Sequence, residues 1–287
     1  MKHQISISGN SGYCMGVKKA FLESYEIASK NENSVLYGEM VHNRFALKAL
    51  TDAGIRIIDD LQEILNDKEI QNVIIRAHGI PSSEEKMLID SGKKIYDLTC
   101  PKVKQVQLLA GKLTDDGYKI VIFGKKHHPE VTGIKGYCNT SNLFILNKPE
   151  LVDEVPFYRD DDVALISQTT MNSSEFEKIA GLLKSRYAKL EVHNTLCASP
   201  VKTQVEAEKL ARKTGIMIIV GDKMSANNNT LYEKVSSITQ SVFVETADEL
   251  DLDRLKNYEK IGIAGGSSTP DRQIKEIKDR ISGELNR

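Results

Sequence analysis

Cys100-Pro101-Lys102-Val103-Lys104-Gln105-Val106 sets the organisation of this chain, because two other stretches repeat it. They are Cys14-Met15-Gly16-Val17-Lys18-Lys19-Ala20 and Cys197-Ala198-Ser199-Pro200-Val201-Lys202-Thr203-Gln204-Val205, the last with one extra residue before its first valine and a second after its lysine. The cysteines lie 86 and 97 residues apart and 90 residues follow the last, so the period is that of a small domain, too long for a solenoid repeat. Working outward, each cysteine is followed at an offset of 28 by a polar residue beyond a short apolar run. These are His42 after Ser34-Val-Leu-Tyr37, His128 after Tyr118-Lys-Ile-Val-Ile-Phe123, and Ser225 after Ile216-Met-Ile-Ile-Val220. A third set of runs opens in the same way: Val73–Ile75 onto His78-Gly79, Val163–Ile166 onto Gln168-Thr169-Thr170, and Ile261–Ile263 onto Ser267-Ser268-Thr269-Pro270.

The apolar runs have the length and composition of buried strands, and the segments between them carry helical spacing, as in Val17, Ala20, Phe21 and Ala28, or Val103, Val106, Leu109, Ala110 and Leu113. Ser82-Ser83 and Ser173-Ser174 read as helix N-caps and Pro270 as a first helical residue. Strand, polar turn, helix is the recurring unit, which implies an α/β fold with a largely parallel sheet in each copy. Three similar small domains are expected, at 1–97, 98–194 and 195–287. No Gly-, Ser- or Pro-rich linker separates them near 98 or 195. If they pack as a pseudo-threefold trefoil with strand ends inward, the three cysteines meet at one centre and the loops surround it, since ligands of such sheets sit beyond the carboxyl ends of the strands.

Composition narrows the function. The chain has 287 residues, 40% hydrophobic and 28% charged, which is ordinary for a globular protein of about two or three domains. Thirty-nine basic against forty acidic residues leave a net charge of −1, so no global field draws in nucleic acid or an anionic membrane. The longest apolar runs stop near five residues where a membrane-spanning helix needs about 20. Met1–Ser8 lacks the apolar core of a signal peptide, so a cytoplasmic location with reduced thiols is expected.

Three converging cysteines support three readings: buried packing residues, a zinc site, or an iron–sulfur cluster with three protein thiolates. Their equivalent positions before a helix weigh against packing, and the absence of Cys-x-x-Cys spacing weighs against zinc. A [4Fe-4S] cube held by three thiolates has one iron without a protein ligand, which combines Lewis acidity with electron delivery. Cys138 falls outside the repeat and reads as structural, as do His3 and His193. The loop residues His42, His78, His128, Glu130, Thr169, Ser225, Asn227 and Ser268 together offer hydrogen-bond donors with helix N-termini behind them, a set that suits a phosphate or diphosphate. Gly262-Ile-Ala-Gly265-Gly266 misses the spacing of the nucleotide-binding glycine loops.

With these motifs in place, the chain resembles the 4-hydroxy-3-methylbut-2-enyl diphosphate reductases over about Ile7 to Ile281. The resemblance is carried by Gly12-Tyr13-Cys14-Met-Gly16-Val17, Gly38-Glu39-Met-Val-His42-Asn43, Ala77-His78-Gly79, Asp97-Leu-Thr99-Cys100-Pro101 and His128-Pro129-Glu130. Gln168-Thr169-Thr170, Thr195-Leu-Cys197, Ser225-Ala226-Asn227 and Ser268-Thr269-Pro270 continue it. It implies a trefoil around a [4Fe-4S] cluster on Cys14, Cys100 and Cys197. It also implies a five-carbon allylic alcohol bearing a diphosphate as substrate, and flavodoxin or ferredoxin as electron donor. By the same resemblance His42, His78, His128, Ser225, Asn227 and Ser268 hold the diphosphate, Thr169 meets the hydroxyl end, and Glu130 supplies protons. Ala226 lies in the same binding loop where a second serine is common, and Met224 and Tyr13 also depart from the family pattern. A non-redox dehydratase, or a metal-bearing sensor without turnover, are the competing classes; a need for external reductant during turnover separates the first from a reductase.

Overall fold

The computed structural model describes residues 3–31 and 33–285, without the side chain of Ala226. The chain begins with β1 (Gln4–Ile7), α1 (Met15–Lys30), β2 (Ser34–Tyr37), α2 (Arg44–Asp52), β3 (Arg56–Ile58), α3 (Leu61–Asn66), β4 (Asn72–Ile75), α4 (Ser82–Asp90) and β5 (Lys94–Asp97). It continues with α5 (Pro101–Asp115), β6 (Lys119–Phe123), α6 (Pro129–Lys135), β7 (Leu143–Leu146), β8 (Asp162–Ser167), α7 (Ser173–Arg186) and β9 (Lys189–Val192). The last part is α8 (Ala198–Ala211), β10 (Ile216–Val220), α9 (Ala226–Ser236), β11 (Gln240–Val244), α10 (Leu252–Leu255), β12 (Lys260–Gly265) and α11 (Asp271–Leu285).

The strands form three four-stranded parallel sheets with one shared layout: β3-β2-β4-β5, β7-β6-β8-β9 and β11-β10-β12-β1. In each, the central pair carries the two apolar runs read from the sequence, and an edge strand leads directly to a cysteine. The central strands are apolar on both faces because both faces are covered. In the second sheet, Val121, Phe123, Val163 and Leu165 pack with Phe176, Ile179 and Leu183 of α7. Their alternating neighbours Ile120, Ile122, Ala164 and Ile166 pack with Val106, Ala110 and Leu113 of α5 and Val131 and Ile134 of α6. The third sheet repeats the pattern, with Ile274, Ile277 and Ile281 of α11 on one face and Ala207, Leu231 and Val235 of α8 and α9 on the other.

Two expectations need correction. The first strand does not belong to a domain spanning 1–97: Gln4–Ile7 pairs with Lys260–Ile263 of β12, so the chain opens on the edge of the last sheet. Two compact units result, Met1–Tyr25, Glu39–Gly54 and Ala198–Arg287 in one, and Glu26–Gly38 and Ile55–Cys197 in the other. The second unit holds two of the sheets. The helix starts also differ. Pro81 and Asn172 are the N-caps of α4 and α7, and Ser82 and Ser173 are already helical. The Asn172 side chain accepts from the N–H groups of Ser174 and Glu175 at 2.9 and 3.2 Å, a role an amide oxygen fills as well as a hydroxyl. Pro270 stands just before α11, which starts at Asp271.

Candidate active site

The three cysteines occupy equivalent stations. Cys14 follows β1 and precedes α1, Cys100 follows β5 and caps α5, and Cys197 follows β9 and precedes α8. In each case the cysteine N–H donates to a carbonyl in the loop after the third strand of its sheet: Ser267 at 3.4 Å, Ala77 at 2.9 Å and Thr169 at 2.7 Å. This tie extends the parallel ladder past the strand end and anchors the loops that carry Ser268, His78 and Thr169 to the cysteines. All three cysteines are half-buried and none is in a disulfide. Cys14 falls in the first compact unit and Cys100 and Cys197 in the second. Cys138, by contrast, packs in the core between α5 and α6, where burial pushes its thiol up to about 11. That burial disfavours its thiolate.

In the second unit the structure brings together Glu130 and Thr169. Glu130 sits in the first turn of α6 and is 1% exposed. One carboxylate oxygen accepts from the Thr169 N–H at 2.6 Å and the other from the Thr169 hydroxyl at 3.1 Å. Burial pushes its pKa up to about 7, with both Thr169 hydrogen bonds pulling the other way. Loss of solvent disfavours the charged form more than two donors favour it, which leaves a carboxyl able to give up a proton near neutrality. His128 caps the same helix, its Nδ1 accepting from the Glu130 N–H at 3.1 Å. That acceptor role places the proton of the neutral ring on Nε2. His78 lies edge-on to His128, ring centroids 5.3 Å apart and planes at 88°.

In the first unit, Ser225 caps α9 and its hydroxyl meets that of Ser268 at 3.2 Å, while Asn227 Nδ2 reaches the Ser267 hydroxyl at 3.3 Å. The side chain of Ala226 lies outside the described residues. His42 is half-exposed, with Nδ1 3.3 Å from Glu39. The backbone just after it is held by carboxylates that sequence reading missed. Asp222, 5% exposed, accepts from the N–H groups of Arg44 at 3.1 Å and Met224 at 2.8 Å. Glu245 accepts from Lys223 N–H at 2.9 Å and pairs with the Arg44 guanidinium. Asn228, fully buried, accepts from the Gly266 N–H at 3.0 Å and so joins the Ser225 and Ser268 loops from below. His3 Nδ1 lies 2.9 Å from the Tyr258 carbonyl oxygen and His193 Nε2 3.1 Å from Glu191.

Within the second unit these elements offer two imidazoles and a buried carboxyl whose pKa is raised, and within the first unit two hydroxyls, an amide and an imidazole. Among the described residues no helix is long and apolar enough to cross a membrane.

A family model described as LytB protein matches residues 5–282. The 4-hydroxy-3-methylbut-2-enyl diphosphate reductase of Caldanaerobacter subterraneus subsp. tengcongensis is 36% identical over 283 residues, 97% of this chain and 96% of that protein. The enzyme of the same name from Clostridioides difficile is 32% identical over 274 residues, 95% of this chain and 97% of that protein. Among solved structures, (E)-4-hydroxy-3-methyl-but-2-enyl diphosphate reductase, the terminal enzyme of the non-mevalonate pathway, superposes with a TM-score of 0.79 at 32% identity, covering 98% of this chain and 99% of that one. The E-1-hydroxy-2-methyl-but-2-enyl-4-diphosphate reductase from Plasmodium falciparum, at 23% identity and a TM-score of 0.87 over 100% of this chain and 90% of its own, shares the fold.

Proposed function

Starting from the fact that this chain belongs to the LytB protein family, we propose that it is an iron–sulfur oxidoreductase acting on 4-hydroxy-3-methylbut-2-enyl diphosphate. It removes the hydroxyl reductively to give isopentenyl and dimethylallyl diphosphate, the last step of the non-mevalonate route. The observation that carries this reading is Glu130, a carboxyl buried beside Thr169 with its pKa raised to about 7. Hydroxide is a poor leaving group, and the reaction needs an acid that still holds its proton near neutral pH.

In this proposal Cys14, Cys100 and Cys197 hold a [4Fe-4S] cluster. Three thiols from three equivalent stations, with Cys138 buried elsewhere, are a donor set that fits such a cluster with one iron lacking a protein ligand. When bound, the cluster supplies single electrons and a Lewis-acidic iron. The chain's own residues do the rest. His42, His78, His128, Ser225, Asn227 and Ser268 hold the diphosphate, and the backbone at Ala226 contributes an N–H where no hydroxyl is available. Thr169 contacts the hydroxyl end of the substrate while orienting Glu130. As the C–O bond breaks, Glu130 gives its proton to the departing oxygen, which leaves as water. Two electrons and a second proton remain with the allylic carbons as a new C–H bond.

The repeated sheet layout supports three small domains, with the opening strand assigned to the last. Flavodoxin or ferredoxin is the proposed electron donor and the cytoplasm the proposed location. The test is anaerobic purification followed by turnover of the allylic diphosphate with a one-electron reductant. Formation of the two five-carbon diphosphates is expected, and a reductant-independent reaction or none would overturn the proposal.

A further inference from the structure

Gln107 lies on α5, seven residues and so about two turns beyond Cys100, and is fully buried. It interrupts the apolar stripe of Val103, Val106, Ala110 and Leu113 on that helix. Its amide fills a notch between two glycines. A Cβ on Gly79, whose φ is +70°, would stand 2.4 Å from Gln107 Nε2, and one on Gly133 of α6 would stand 2.6 Å from the same atom. The same Cβ on Gly133 would stand 3.5 Å from the carbonyl oxygen of His78, so the loop carrying His78 runs close to α6 beside the Gln107 amide.

The loop is therefore gripped at both ends. Before His78, the Ala77 carbonyl accepts from the Cys100 N–H at 2.9 Å. After it, the Ile80 carbonyl faces Gln107 Nε2 at 3.5 Å. Among the described residues Gln107 Oε1 has no hydrogen-bond partner although it is buried. A half-satisfied amide is a poorer core residue than a methionine of the same length, so packing does not account for it.

We propose that Gln107 is a positioning residue. It wedges the His78–Gly79 backbone against α6 and thereby fixes the separation between the His78 ring and His128 at the N-cap of α6 for binding of the diphosphate. The inference rests on the reading of those two histidines as diphosphate ligands. Because Cys100 is the N-cap of the helix that carries Gln107, the same wedge ties this pair in register with the cysteine.

The test is a double-mutant cycle on the holoenzyme, with calorimetric titration of inorganic diphosphate as the readout. Gln107→Met should weaken binding about tenfold or more and raise KM for the allylic diphosphate in proportion, with a smaller change in kcat and no loss of thermal stability. In a His78→Ala background the same replacement should change binding less than about twofold. Equal binding by the wild type and Gln107→Met, or an equal loss in both backgrounds, overturns the inference. Should Gln107→Met not fold, Gly133→Ala displaces the amide without removing it and carries the same expectation. A wild-type enzyme that does not bind diphosphate removes the functional reading, and this inference with it. Binding by the wild type with no effect of Gln107 removes this inference alone.

Discussion

Replacing Glu130 by Gln separates two consequences of burying one carboxyl. Burial raises the group from 4.5 to about 7, which at about 1.4 kcal/mol for each tenfold makes the ionised form about 3 kcal/mol worse placed in the folded protein than in water. The folded protein thus keeps a proton that the unfolded chain has released. The stabilisation this gives is fully present below about pH 4.5 and is lost as pH rises through about 7. A glutamine carries no charge at any pH and keeps an acceptor for the Thr169 N–H. The variant should therefore match the wild type at about pH 4 and exceed it by up to about 3 kcal/mol at about pH 8.5, read from anaerobic urea titrations. Turnover should move the other way, falling by about 10²–10⁴ as expected for loss of a positioned acid. In the wild type the rate should drop about tenfold per pH unit above about 7, and the residual rate of the variant should lack that limb. A stability difference independent of pH, or near-normal turnover in Glu130→Gln, would refute the reasoning.

Three further outcomes follow from the same geometry. Cys14→Ser, Cys100→Ser and Cys197→Ser should each abolish most iron and acid-labile sulfide in purified protein, whereas Cys138→Ala keeps both and costs about 1–2 kcal/mol of stability; retention of cluster after loss of any of the first three contradicts the ligand set. Thr169→Val removes the 3.1 Å hydroxyl contact that lowers the Glu130 pKa, so the alkaline limb of the pH–rate profile should shift upward, and an unmoved or lowered limb counts against the pairing. Asn228→Ala leaves the buried Gly266 N–H without its acceptor and should cost about 1–3 kcal/mol in denaturant titrations.

Much of this molecule is legible in its residues because the same chemistry is written three times. The runs Ser34–Tyr37, Lys119–Phe123 and Ile216–Val220 are the central strands, and the polar residues that follow them sit at the starts of α2, α6 and α9. The opening strand was not legible, since four residues of alternating character carry no mark of which sheet they join; the pairing of Gln4–Ile7 with β12 is a long-range fact. Helix starts shifted by one residue because Asn172 and Pro81 compete with the serines beside them for the capping position. Glu130 could be read as a loop acid, but its burial and its two bonds to Thr169 depend on β8 lying next to β6. Asp222, Glu245 and Gln107 escaped for the same reason. Each is a polar residue whose role is to hold a backbone far away in sequence, and Gln107 alone left a local trace as a polar residue on an apolar helical stripe.

Counting electrons against product tests the central claim most directly. With reduced one-electron donor supplied in known amount under anaerobic conditions, two electrons should be consumed for each molecule of isopentenyl or dimethylallyl diphosphate formed. Loss of the hydroxyl with no electrons consumed would instead make the protein a dehydratase and contradict the account.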